Sequence, residues 1–145
     1  MARTRTDAGV EVRVVLANGI FDLLHVAHLR HLQQARRMGN RLVVGLTTDK
    51  SATKEKRKPI ISQRERMELL RGLKCVSDVI FCKDSLEALR LIKPNVFCKG
   101  HDRIEIGLLD AEIEYCRANN IDIRFTKENP QTTSNIIKRI KCASR

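Results

Sequence analysis

The chain is predicted to fold as a Rossmann-like α/β domain: a doubly wound parallel sheet of five strands with helices on both faces. Three observations carry this expectation. Short apolar runs recur along the chain, at Val12–Ala17, Arg41–Thr47, Val79–Phe81, Val96–Cys98 and Ile121–Phe125. Segments with helical periodicity lie between them. The polar residues best suited to chemistry fall just after the strand ends, where ligands bind in such sheets.

Each element has a local reason. Val12–Ala17 is an apolar run expected as a buried strand. In Val26–Met38, residues Val26, Leu29, Leu32, Ala35 and Met38 recur at three-residue spacing and form one apolar helix face; Gly39-Asn40 stops that helix. Arg41–Thr47 is the second strand. Lys50–Lys58 is basic, has no periodic apolar face, and is expected as a loop. Ser62 caps the next helix with Glu65 at the capping-box position, and Met67, Leu69, Leu70 and Leu73 supply its apolar side. Val79–Phe81 is a short third strand. Leu86, Leu89 and Ile92 mark a helix that Pro94 ends. Val96–Cys98, the fourth strand, leads into Lys99-Gly100-His101-Asp102. A helix over Leu108–Ala118 and the strand Ile121–Phe125 follow, and Thr132 or Thr133 caps a last helix bearing Ile136, Ile137 and Ile140. Neither internal repeats nor low-complexity linkers interrupt the pattern. The expected organisation is a flexible basic tail, residues 1–10, and one domain, residues 11–145.

Composition narrows the function. The 145 residues, 42% hydrophobic and 31% charged, suit one soluble globular core. No apolar stretch approaches the roughly 20 residues that span a bilayer, and the first ten residues lack the apolar core of a secretory signal. Cys75, Cys82, Cys98, Cys116 and Cys142 are widely spaced, without a Cys-x-x-Cys pair. That pattern argues against a disulfide scaffold or zinc knuckle and for a reducing, cytoplasmic setting. Cys98, in a strand-like run, is expected in the core. The net charge is +11, with basic clusters at Lys50–Lys58 and Lys138–Arg145. Such a balance suits nucleic acid, a membrane surface or phosphorylated small molecules. Aromatic residues make up only 3%, Trp is missing, and no zinc-finger or RNA-recognition motif occurs. Nucleic acid is therefore the less favoured partner.

The densest chemistry lies in Asn18-Gly19-Ile20-Phe21-Asp22-Leu23-Leu24-His25-Val26-Ala27-His28. A strand hands over to a helix here, so free N–H groups and the positive helix end favour phosphate. His25 and His28, three apart, share one face of the first turn. His31 continues the spacing, but successive turns diverge and no carboxylate or cysteine completes a metal set; His31 is expected on the exposed side. Asp22 either caps the loop or faces a ligand. Asp102 follows a strand end and is a candidate for contact with base, acceptor or metal.

These residues resemble the cytidylyltransferase-like branch of the nucleotidyltransferase superfamily. Its signature Gly-x-Phe-Asp-x-x-His-x-Gly-His reads here from Gly19 to His28, with five of six fixed positions matched. Ala27 stands where the family has Gly, which implies a tighter pocket. The resemblance implies that His25, His28, Lys56 and Arg66 form the catalytic set. Arg66 lies in the family's Glu-x-Arg or Gln-Arg position; Lys56 is the best-spaced loop lysine, with Lys54 as fallback. The family's Ser-Thr-Thr-x-Ile helix start appears as Thr132-Thr133-Ser134-Asn135-Ile136 and implies phosphate contacts from Thr132, Thr133 and Ser134. Gly19, Ile20, Phe21, Asp22, Gly100 and Asp102 complete the implied nucleotide site.

Lys99-Gly100-His101-Asp102 resembles the Lys-Gly-Gly-Asp-Tyr segment of the adenylyltransferases that make ADP-heptose, and 135–140 is similar to their ending. Glycerol-3-phosphate cytidylyltransferases have a related Gly-Asp-Asp-Trp segment without that lysine. His101 and Arg103 depart from both, and with Lys99 they are the implied acceptor contacts. The implied reaction transfers a nucleotidyl group from a nucleoside triphosphate to a phosphorylated small molecule. ATP with a sugar 1-phosphate is favoured by Lys99-Gly100; CTP with glycerol 3-phosphate or another polyol phosphate is the alternative. Magnesium is expected to arrive on the phosphates, with no protein metal site. A homodimer is implied and a membrane partner is not. The rival of another class is a basic nucleic-acid-binding module that kept the fold and lost catalysis, a reading that Ala27 favours.

Overall fold

The computed structural model describes residues 4–5, 9 and 11–143; the side chains of 4, 5, 105 and 106 lie outside that description. In chain order the elements are β1 (Thr4–Arg5), β2 (Glu11–Val12), β3 (Val14–Gly19), α1 (Val26–Arg36), β4 (Arg41–Thr47), α2 (Asp49–Glu55) and α3 (Gln63–Arg71). Next come β5 (Asp78–Cys82), α4 (Ser85–Ile92), β6 (Val96–Lys99), α5 (Asp102–Ile106), α6 (Asp110–Ala118), β7 (Asp122–Phe125) and α7 (Thr133–Ala143). The expected flexible tail falls mostly on residues outside the described ones. Of that segment, Thr4–Arg5 pairs antiparallel with Glu11–Val12.

Among the described residues the main sheet has five strands in the order β5-β4-β3-β6-β7, each pair parallel. The chain runs outward from β3 to one edge, then returns beside β3 to build the other half. Strand direction out of the centre therefore reverses between β3 and β6, which opens a crevice at their carboxyl ends.

Strand periodicity sorts the apolar side chains into two cores. Val15 and Ala17 of β3 join Leu42, Val44 and Leu46 of β4 under Leu32 and Ala35 of α1 and Leu70 of α3. Leu16 and Phe97 point the other way, against Ala88 and Leu89 of α4 and Cys116 of α6. Gly45 faces that second layer: a Cβ there would stand 3.0 Å from the Ala88 Cβ, so α4 packs close on the sheet. Burial raises the Cys82 and Cys98 thiols to about 11 and about 12, which makes them packing residues rather than nucleophiles.

Four segments differ from the sequence expectation; in the first, the strand expected over Val12–Ala17 begins at Val14 and runs to Gly19, while Val12 pairs in the small antiparallel sheet. Lys50–Lys58 is not a loop throughout, because Thr48 caps α2 through the Ser51 N–H. Its apolar face is almost nil: Ala52 alone among α2 residues is buried, so periodicity carried no signal. The helix expected over Leu108–Ala118 begins at Asp110, and the short α5 precedes it. Gly107, at φ +88°, breaks the chain between them, a conformation that suits glycine. Finally, α1 ends at Arg36, two residues before Met38.

Candidate active site

The crevice at the switch point is a cleft of about 730 Å³. The loops after β3 and β6, the end of α2 and the start of α7 converge on it. Gly19, Ile20, Phe21, Asp22, His28, Lys56, Lys99, Gly100, His101, Asp102, Arg103, Thr132, Thr133 and Ser134 all line it. His25, Lys54 and Arg66 do not line it, and each has a physical reason.

His25 is the N-cap of α1. Its Nδ1 accepts the Ala27 N–H at 3.2 Å, while the His25 N–H donates to His28 Nδ1 at 3.2 Å. The two imidazoles thus form a reciprocal cap and stack with centroids 3.8 Å apart. Because each Nδ1 accepts a hydrogen bond, each neutral ring carries its proton on Nε2. The His25 Nε2–H reaches Thr133 Oγ1 at 3.3 Å, and that hydroxyl donates to the Asp22 carbonyl at 3.2 Å. His25 therefore ties α7 to the loop after β3. The His28 Nε2–H, without a partner among the described residues, is left on the cleft wall. Burial is the first cause that pushes His28 down, to about 4, followed by the charges of His25 and His31. It is a neutral donor at pH 7.

His31 corrects an expectation: it is not on the exposed side. It lines the cleft, with Nδ1 2.7 Å from Thr126 Oγ1. Burial, then the Lys99 ammonium, lowers it to about 4.

Asp22 is 3% exposed, and its carboxylate is fully engaged inside the protein. Oδ1 accepts the N–H of Ile61 at 2.9 Å and of Leu23 at 3.1 Å; Oδ2 accepts Ile60 N–H at 2.8 Å and the Arg57 guanidinium at 2.9 Å. Burial pushes this carboxyl up, but the Ile60 and Ile61 N–H groups and Arg57 outweigh it and hold it below the usual range. Asp22 thus pins the 57–61 segment through its carboxylate. Its neighbours Phe21 (φ +51°) and Leu23 (φ +50°) sit in the left-handed region that bulky residues avoid. The Asp22 bonds on both sides hold this strained turn in place.

Arg66 is likewise engaged inside the protein. It is 1% exposed and spends its fork on the protein. Nε donates to the Ile61 carbonyl at 2.9 Å, one terminal nitrogen to Ile20 and Thr47 carbonyls at 2.6 and 2.9 Å, the other to Asp49 at 2.7 Å. It cross-links the loop after β3, the end of β4 and the start of α2. Lys54 lies on exposed α2 surface, whereas Lys56 follows the last turn and lines the cleft. Arg57, which spacing did not single out, lines it too.

At the start of α7, Thr132 Oγ1 accepts the Asn135 N–H at 3.0 Å and is the cap. The Ser134 hydroxyl has no partner among the described residues. Lys99, at the end of β6, is 8% exposed; its Nζ lies 3.5 Å from Asn18 Oδ1 and 4.0 Å from Glu112 Oε2. The cleft thus presents a neutral imidazole donor, the N-terminus of α7, Lys56, Arg57, a buried ammonium and a hydroxyl, beside the carboxylates of Glu55, Asp102 and Glu128. Such a set binds an extended polyanion and stabilises charge that shifts along it.

Ala27 also lines this wall. Ala27→Gly is expected to tighten binding of an inorganic tripolyphosphate probe a few-fold by removing a methyl from the cleft. It should cost about 0.5–1 kcal/mol of stability through helix propensity. Calorimetric titration with thermal melts checks both; weaker binding by the glycine variant would show that Ala27 does not narrow the site.

A family model described as cytidylyltransferase-like matches residues 16–140. The chain is similar to the bifunctional protein HldE of Pelobacter propionicus, 34% identical over 132 residues, covering 88% of this chain and 27% of that protein. It is 38% identical over 133 residues to the bifunctional protein HldE of Citrifermentans bemidjiense, again covering 88% and 27%. The chain therefore spans 27% of the length of these two relatives. A solved structure, the lipopolysaccharide core biosynthesis protein from Thermoplasma volcanium GSS1, matches with TM-score 0.72 at 25% identity, over 81% of this chain and 98% of that one. A protein of unknown function from Archaeoglobus fulgidus shares the fold, with TM-score 0.64 at 16% identity over 83% and 93% of the two chains.

Proposed function

Because the chain belongs to the cytidylyltransferase-like family of nucleotidyltransferases, we propose that its cleft transfers a nucleotidyl group from a nucleoside triphosphate to a phosphorylated small molecule, releasing pyrophosphate. The observation that carries this reading is the His28 Nε2–H, fixed by the helix cap and held neutral on the cleft wall. An acceptor phosphate oxygen attacks the α-phosphorus; the new P–O bond forms as the bond to the β-phosphate oxygen breaks. The nucleophile is already an oxyanion, so no strong base is required, and catalysis rests on positioning and charge stabilisation. His28 donates to the α-phosphate and the leaving oxygen. Lys56, Arg57, Ser134 and the N–H groups of α7 face the β- and γ-phosphates. His25 and Asp22 hold the loop that presents them.

Among the described residues, no group of three or more His, Cys, Asp or Glu side chains is placed to hold a metal. Magnesium is proposed to arrive on the phosphate oxygens. When bound, the ion neutralises phosphate charge.

For substrates, ATP and a sugar 1-phosphate is the favoured pair, supported by Lys99 on the cleft wall beside Gly100. CTP with a polyol phosphate is the alternative. A homodimer in a reducing cytoplasm is the proposed state. Among the described residues no helix is long and apolar enough to cross a membrane.

Pyrophosphate release measured for ATP, CTP, GTP and UTP against heptose, glycerol, choline and ethanolamine phosphates tests the reaction. Turnover of one pair is expected; a blank matrix, with tight salt-sensitive RNA binding instead, would favour the non-catalytic module. Within the active pair, Lys56→Ala is expected to raise the triphosphate KM about tenfold, a loss of the order of one charge-assisted contact, without lowering the melting temperature. Lys54→Ala should change neither, and an equal effect of both would sink the assignment to Lys56.

A further inference from the structure

Glu112 of α6 belongs to no motif, yet it is 4% exposed and faces the innermost cation of the cleft. Its Oε2 lies 4.0 Å from Lys99 Nζ and, among the described residues, is the buried side-chain polar atom without a hydrogen-bond partner. Lys99 is little better satisfied. Its ammonium sits 3.5 Å from Asn18 Oδ1 and 5.0 Å from the centre of the Phe97 ring. A buried ion pair repays its desolvation only with close geometry and further hydrogen bonds on both partners. This one has neither, so it is a poor stabilising device. The same arrangement can instead keep an ammonium charged in a dry wall while leaving its donors for an anion in the cleft.

We propose that Glu112 is a positioning residue that holds Lys99 charged and directed at the anionic group of the acceptor. This rests on the transferase reading above. Glu112 does not touch the substrate; it acts through Lys99. Burial lowers the Lys99 ammonium and the Glu112 carboxylate raises it again. The other charged groups around Lys99 are Arg103, which lowers it, and Asp102 of α5 and Glu55 of α2, which raise it. His31 of α1 faces it as a neutral ring, held so partly by Lys99 itself. Glu112 is the largest influence opposing burial, ahead of Asp102 and Glu55.

With Glu112→Gln, only burial and weaker neighbours act, and Lys99 gives up its proton at lower pH. Acceptor kcat/KM should therefore lose its alkaline limb at least about one pH unit earlier. At neutral pH, the acceptor KM should rise about tenfold, while the triphosphate KM stays within about twofold. Glu112→Asp should restore part of the loss. Lys99→Met/Glu112→Gln should be no worse than Lys99→Met alone, and thermal melts should show the double variant at least as stable as the wild type.

Titration of Lys99 by NMR with labelled lysine, assigned through Lys99→Met, gives a readout independent of turnover. A lower Lys99 titration point in Glu112→Gln, with the selective KM effect, supports the proposal. An unchanged titration point, an unmoved alkaline limb, or equal effects on both substrates would overturn it. Should the wild-type chain turn over no substrate pair, the transferase reading falls, and the Lys99 titration still decides whether Glu112 governs the charge of that lysine.

Discussion

Replacing His28 with alanine is expected to lower kcat about 10²–10³-fold while leaving the fold intact. That magnitude is typical of removing one fixed donor from a site where negative charge develops in the transition state. The structural cost is smaller. His28 accepts one hydrogen bond, from the His25 N–H, and packs edge-on to Phe21 with ring centres 5.4 Å apart. Loss of that bond costs about 1 kcal/mol. The measurement is single-turnover pyrophosphate release alongside a denaturant melt. Turnover equal to wild type would refute the assignment, and a collapse of stability would move His28 into the structural set with His25.

The same residue sets a pH dependence. His28 and His31 titrate near 4 in the fold, against 6.5 for a free imidazole. Between those values the unfolded chain binds more protons than the folded one, so stability falls as pH drops from 6.5 toward 4. His28→Ala should flatten part of that slope. A melting temperature independent of pH across this window would contradict the buried, neutral state of both rings.

Arg66→Met is expected to destabilise the protein by about 3–5 kcal/mol, the range for breaking a buried, charge-assisted network. The side chain serves the carbonyls of Ile20, Thr47 and Ile61 and the carboxylate of Asp49. Methionine fills the volume but leaves those acceptors unpaired at the base of the cleft. The loop after β3 then loses its support, so activity falls through misplacement of Phe21–His28. A variant that melts like the wild type but shows only a raised triphosphate KM would make Arg66 a phosphate contact instead. Urea melts read the first quantity and steady-state kinetics the second.

Arg66 and Asp22 show where sequence reading reached its limit. Both sit at family-motif positions, and both are polar residues that a motif assigns to ligand. Whether an arginine fork meets phosphate or three carbonyls depends on which chain segments cross beside it. Residues 20 and 47 meet at Arg66 because β3 and β4 are neighbours in the sheet. His31 is a similar case: its Thr126 partner lies 95 residues away, beyond any spacing rule. The helix α2 escaped for a different reason. It buries almost nothing, so it has no amphipathic period to read, and Thr48-Asp49 was its one local sign.

What the sequence determined by itself was the alternation of elements, the two-sided sheet and the family signature in the loop from Gly19 to His28. These follow from local periodicity, capping preferences and a motif contained in a single short stretch of chain. The tertiary structure decided which polar groups remain free. It tied the side chains of His25, Asp22, Thr133 and Arg66 to other parts of the protein, left the His28 Nε2–H, the Lys56 ammonium and the Ser134 hydroxyl on the cleft wall without a partner among the described residues, and set Lys99 against Glu112. The physical reason is that a hydrogen-bonding group serves either the fold or a ligand according to its neighbours in space. Those neighbours come from strands and loops brought together only when the sheet closes.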